Sequence, residues 1–87
     1  MLKVYAADWC PHCRYTIQWL KEHNIDFEYY DIEQVETQNG ELIRKIIEVN
    51  GGDDWVVPTL EFDGQWRPGK VFSAAILEQD LKKLGIL

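Results

Sequence analysis

Cys10 and Cys13 are the only cysteines of the chain, and Pro11 and His12 separate them. A bond across two intervening residues would constrain almost nothing of the unfolded chain, so the pair makes a poor staple. Its use lies in being closed and reopened. The nucleophile of thiol–disulfide exchange is the thiolate, and a sulfur at the mouth of a helix faces unpaired N–H groups and the positive end of the dipole. These favour the anion by about 0.3 to 2 kcal/mol. Attack therefore falls to Cys10, with hydrogen bonds from helix amides and the Cys13 thiol, and charge from His12 or Arg14, as further support. Cys13, one turn further in on the stripe of Ile17 and Leu20, is expected to be more buried and to hold its proton until it resolves a mixed disulfide. No metal or bound organic cofactor is needed for that cycle.

Other uses of the pair fit less well. A CxxC is half of a zinc site, but a tetrahedral structural site usually takes a second Cys or His pair at short spacing, and the chain offers only His12 and His23. Iron–sulfur coordination shared between two chains is crowded by Pro11. A net charge of −6, with nine basic residues among fifteen acidic ones, argues against a nucleic-acid surface. The stretch Met1 to Ala6 is too short for a signal-peptide core, and no later apolar run approaches a membrane span. The chain reads as a cytoplasmic, monomeric single domain over residues 1–87, with enough apolar material for one modest core. In a thiol-reducing compartment, cysteines at this spacing are catalytic or metal-binding more often than structural.

The elements that must position the pair follow from pattern. Leu2 to Ala6 alternates and ends just before the motif, so it reads as a strand. Pro11 suits the first position of a helix that runs through His23, with Asn24 as its stop. Phe27 to Ile32 is a second strand, and a strand–helix–strand crossover of this length implies a parallel pair. The run Glu33 to Gln38 reads as a solvated connection. A helix from Asn39 or Gly40 to Val49 presents Leu42, Ile43, Ile46, Ile47 and Val49, and Asn50-Gly51-Gly52 ends it. Strands at Val56–Phe62 and Gln65–Arg67 flank the hairpin signal Asp63-Gly64. Ser73 caps a last helix whose Leu77, Leu81 and Leu84 share a face and whose Gly85 marks its end. The order is β-α-β-α-β-β-α, an α/β fold with a four-stranded mixed sheet and three helices.

The CxxC after the first strand, the Val-Pro before the third, the Asp-Gly hairpin and the closing helix together resemble the glutaredoxin family of the thioredoxin fold, over essentially the whole chain. The resemblance implies a small thiol-disulfide oxidoreductase of cell redox homeostasis, with Cys10 and Cys13 catalytic. It implies disulfide-bearing protein substrates and glutathione or another low-molecular-weight thiol as co-substrate. Val57-Pro58 is similar to the family's cis pair, which exposes the backbone of the preceding residue to an extended substrate. Trp9, Pro11, His12, Val57, Pro58 and Ser73 are then the expected substrate contacts. His12 replaces the usual tyrosine of the inner pair, either as a titratable group beside the thiolate or as an exposed helix histidine without a role.

Two departures and two subfamily resemblances bear on the reductant. Where glutathione-using members commonly have Gly-Gly before an acidic or hydroxyl residue at the last helix, this chain has Arg67 to Ser73, and Ser73 and the first N–H groups of the helix still offer an anion site. The lysine frequent in glutathione binders three residues before the first cysteine is Ala7. Trp9-Cys10, Val49 to Gly52 and Val57-Pro58-Thr59 look like the mycoredoxins, which serve a different small thiol. Trp66-Arg67-Pro68 faintly resembles the glutaredoxin-like electron donors of ribonucleotide reductase, recycled by thioredoxin reductase. Trp9, Trp55 and Trp66 are candidates for an apolar rim around the cysteines, with Trp66 equally open to ordinary packing. Tyr15 and Trp19 stand at i and i+4, as a stacking pair or a contact surface.

Overall fold

The computed structural model describes residues 1–87. The elements are β1 (Leu2–Ala6), α1 (Pro11–Glu22), β2 (Phe27–Asp31), α2 (Ile32–Gln38), α3 (Gly40–Val49), β3 (Thr59–Phe62), β4 (Gln65–Arg67) and α4 (Ala74–Leu84). The strands form one mixed sheet in the order β2-β1-β3-β4. β1 runs parallel to β2, with Val4 opposite Tyr29, and antiparallel to β3, with Val4 opposite Leu60. β4 closes the sheet antiparallel to β3.

As a central strand, β1 buries Leu2, Val4, Tyr5 and Ala6, which explains its nearly continuous apolar run. Against it pack Leu20 of α1, Ile43 and Ile46 of α3, and Leu77, Leu81 and Leu84 of α4. Each such aliphatic side chain contributes about 1.5 to 3 kcal/mol by leaving water. Tyr5 stacks on Tyr30 at 5.3 Å between ring centroids and on Trp66 at 5.8 Å, so a row of aromatic rings crosses the sheet. Trp66 is thereby packing material and lies outside any rim around the cysteines. The β3–β4 turn is the expected one: Asp63 and Gly64 both take positive φ, 51° and 81°, as a two-residue Asp-Gly hairpin requires.

The sheet and the order of elements are as read from the sequence, but there are four helices and not three. The residues read as a solvated connection form α2. Asp31 turns the chain out of β2 one residue early, and its carboxylate accepts the Glu33 N–H at 2.9 Å as an N-cap. Ile32 and Val35 are the buried side of this short helix. β3 is also shorter than expected: Val56, Val57 and Pro58 stand outside it, Pro58 having no N–H to give a ladder, and pairing begins at Thr59. On α1, Tyr15 and Trp19 do not stack on each other. Trp19 stacks on His23 at 3.7 Å, while Tyr15 leans on Phe72 at 5.8 Å.

Candidate redox site

Cys10 is the N-cap of α1. Its backbone is extended and its sulfur accepts the Cys13 N–H at 3.1 Å, in the place where Ser, Thr or Asp usually puts an oxygen. A negative sulfur is stabilised by that donor and by the helix dipole behind it. Pro11 occupies the first helical position, where its lack of an N–H leaves no bond unmade. Both cysteines are free thiols, Cys10 5% exposed and Cys13 wholly enclosed. Burial pushes the Cys13 thiol up to about 12, and its hydrogen bond with Cys10 adds to the rise. The two sulfurs are thus unequal: Cys10 keeps a little exposure and has a donor aimed at its sulfur, and Cys13 is held protonated behind it.

On the far side of Cys10, the Val57 carbonyl receives the Cys10 S–H at 3.9 Å, a loose contact across 47 residues of sequence. Pro58, joined to Val57 by the cis bond, is buried. Thr59 fixes this corner by donating its hydroxyl to the Val56 carbonyl at 2.6 Å, and Asn50 donates in turn to the Thr59 oxygen at 3.0 Å. Asn50 also accepts the Gly69 N–H at 2.8 Å. It therefore joins the end of α3, the proline corner and the loop before α4. Sequence reading gave Asn50 only a helix-ending role, and nothing local in the sequence announces partners 9 and 19 residues away.

Gly69 lies flat against Val56. A Cβ there would fall 2.8 Å from Val56 Cβ and 3.0 Å from the Val56 carbonyl carbon, so any side chain must displace the segment leading into the proline corner. Gly69→Ala is expected to lower stability by about 1 to 3 kcal/mol through overpacking and to slow exchange at Cys10. Thermal unfolding and a disulfide-reduction assay check this, and an unchanged midpoint with an unchanged rate would contradict it.

The same loop reaches the cysteine motif. Phe72 donates its backbone N–H to His12 Nδ1 at 3.2 Å. In that bond Nδ1 is the acceptor. The histidine thereby fastens the motif to residue 72. Ser73 follows directly, with its Oγ accepting the Ile76 N–H at 3.4 Å as the cap of α4.

Trp9 and Trp55 flank the site, and both are tied to the helix missed in the sequence. Trp9 Nε1 donates to Glu33 at 3.1 Å and Trp55 Nε1 to Glu36 at 3.1 Å. Tyr29 donates its hydroxyl to Asp8 at 3.2 Å. Trp9 is 59% exposed. The structure thus gathers Trp9, Cys10, Pro11, His12, Cys13, Val57, Pro58 and Ser73 at one end of the sheet. No hollow of the surface is lined by Cys10 or Cys13, and no three His, Cys, Asp or Glu side chains stand close enough together to hold a metal ion.

A mixed four-stranded sheet with a CxxC pair at the start of its first crossover helix and a cis proline facing the pair defines the thioredoxin-like fold. Residues 2–66 match the Glutaredoxin family, and the chain belongs to that family. It is 29% identical over 83 residues, 95% of this chain and 100% of the relative, to an uncharacterized glutaredoxin-like 8.6 kDa protein in a rubredoxin operon of Clostridium pasteurianum. It is 36% identical over 59 residues, 68% of this chain and 66% of the relative, to Mycoredoxin 1 of Corynebacterium glutamicum. Among solved structures, the glutaredoxin of Archaeoglobus fulgidus superposes with a TM-score of 0.68 at 25% identity, covering 90% of this chain and 82% of that one. The thioredoxin-like protein BC3987 superposes with a TM-score of 0.65 at 21% identity, covering 97% and 99% of the two chains, a likeness of fold. No helix is long and apolar enough to cross a membrane.

Proposed function

We propose that the chain reduces disulfides of proteins, or mixed disulfides, through a reversible Cys10–Cys13 bond. The observation that carries this reading is the inequality of the pair: Cys10 Sγ accepts the Cys13 N–H at 3.1 Å, while burial holds the proton on Cys13. Cys10 thiolate attacks one sulfur of the substrate, forming a mixed disulfide and expelling the other sulfur as a thiolate, which takes up a proton. Cys13 gives up its proton and attacks Cys10, releasing the second substrate thiol. The substrate gains two electrons and two protons, and the pair is left oxidised. A thiol co-substrate or a reductase restores it. Trp9, Pro11, His12, Val57, Pro58 and Ser73 form the surface on which the substrate lies.

Glutathione is one candidate reductant. A thiol other than glutathione is the second reading, and specific positions favour it. Ala7 is buried and offers no cation, and the nearby Lys70 is already held by Asp80 at 2.7 Å. The likeness to a mycoredoxin points the same way. Thioredoxin reductase is the third donor to be compared.

Two measurements test the proposal together. The Cys13→Ser variant is expected to accumulate a one-to-one mixed disulfide through Cys10, read by mass spectrometry, and absence of the adduct contradicts the cycle. NADPH consumption with glutathione and its reductase, in parallel with thioredoxin reductase alone, identifies the donor. Rapid turnover with glutathione would overturn the second reading.

A further inference from the structure

We propose that the substrate disulfide is carried on an extended, cationic segment of a partner protein, seated on the wall that Trp9, Trp55 and the carboxylates of α2 form beside Cys10. This inference deepens the reductase reading and rests on it.

Charge distribution is the first observation. Between Asn24 and Ile43 there are six acids and no lysine or arginine. Removing those six from the fifteen acids leaves nine, which the nine basic residues cancel, so one contiguous stretch holds the whole net charge of −6. That stretch contains β2 and α2. Its end nearest the cysteines is fixed by register, because Asp31 lies opposite Ala6, the last residue of β1 before the motif. Asp8, Asp53 and Asp54 add exposed carboxylates next to the two tryptophans. On the opposite side of Cys10, Arg67 and Lys70 are spent on Asp80.

The second observation is how the indoles are held. Glu33 and Glu36, three apart on α2, each use one carboxylate oxygen on an indole N–H, with both side chains at the surface. An indole face is the best aromatic partner for a lysine or arginine. Trp9 exposes most of its ring, and the second oxygen of Glu33 stands beside it. The third is the backbone of Val57, which sits against Cys10 and presents the peptide edge an extended chain pairs with. Val56, 42% exposed and next in the chain to Trp55 and Val57, offers apolar contact beside them. A small thiol bearing carboxylates would meet repulsion on the α2 side, whereas lysine or arginine close to the partner's cysteine gains attraction, steering and a ring to cover.

The test uses the reduced full-length protein and two disulfide-looped peptides that differ only in carrying lysines or glutamates next to one cysteine. Rates are normalised to those with dithiothreitol, which removes the peptides' own difference in reactivity. At about 0.01 M salt, where screening reaches roughly 30 Å, the lysine peptide is expected to react about tenfold faster, and at about 1 M salt the gap should close. The variant E33Q/E36Q/D53N/D54N keeps one acceptor oxygen at each position, enough for the two indole bonds, but removes the charge, and it should close most of the gap at low salt. Equal rates at low salt, a faster glutamate peptide, or a gap unaffected by that variant would overturn the inference while leaving the reductase reading intact. If neither peptide reacts faster than with Cys10→Ser, the reductase reading fails and this inference with it.

Discussion

Cys10→Ser is expected to bring disulfide reduction down to the rate of the uncatalysed exchange, a loss on the order of a thousandfold or more. The hydroxyl of serine fits the N-cap and keeps the bond from the Cys13 N–H, so the fold should survive. What disappears is the one thiol of the pair that keeps any exposure. Cys13 cannot substitute for it, being wholly enclosed and protonated at neutral pH. A thermal midpoint close to that of the parent protein, measured beside the turnover, separates lost chemistry from lost structure. Turnover undiminished in the serine variant would remove Cys10 from the mechanism.

The second large effect concerns stability. Asp80, on α4, receives Arg67 Nε at 2.9 Å and Lys70 Nζ at 2.7 Å on the same oxygen, and the Asp80 and Arg67 side chains are 9% and 5% exposed. Asp80→Ala leaves the Arg67 guanidinium enclosed without a counter-charge, with its Nη1 already lacking any partner. Breaking a buried pair in this way costs about 3 to 5 kcal/mol, a large share of the 5 to roughly 15 kcal/mol that holds a small domain together. Replacing Arg67 and Asp80 together by apolar residues of similar volume should be far milder. Urea unfolding of the single and double variants checks both, and a single-variant loss below about 1 kcal/mol would show that the pair contributes as little as a surface ion pair.

Acid should reveal the same group. Burial alone would raise the Asp80 carboxyl, but the hydrogen bonds from Lys70 and Arg67 and their charges outweigh it and hold the carboxyl below its usual range. A carboxylate lowered on folding gives stability that is present in full above the ordinary carboxylate range, near 4, and is lost as pH falls through its folded value. The parent protein should weaken through that window more than the double apolar variant does.

Much of this architecture was legible because its signals are local. Strand β1, the proline at the start of α1, the Asp-Gly turn and the Ser73 cap each depend on residues within a few positions of one another. α2 escaped notice because seven residues with Ile32 and Val35 as their buried side give too little periodicity. Asp31 before Ile32, with Glu33 in the first turn, is the cap signal that would have found it. The site divides along the same line. Cys10 and Cys13 declare themselves by spacing, whereas the role of His12 depends on a backbone N–H at Phe72, and any residue at 72 except proline carries one. The Arg67–Asp80 pair joins a strand end to a helix face 13 residues on, and the charge count alone gives no hint of the match.

The bond between His12 and Phe72 spans 60 residues, so the two thiols exist long before their surroundings do. At about 5 to 20 residues per second of synthesis, the chain is extended for roughly 3 to 12 s after residue 12 has been added before residue 72 joins it. For that interval Cys10 and Cys13 stand on a nascent chain without the proline corner, the loop that holds His12 or the full burial that makes them unequal. The enclosure that sets the two sulfurs apart is completed by residues that join the chain after both of them.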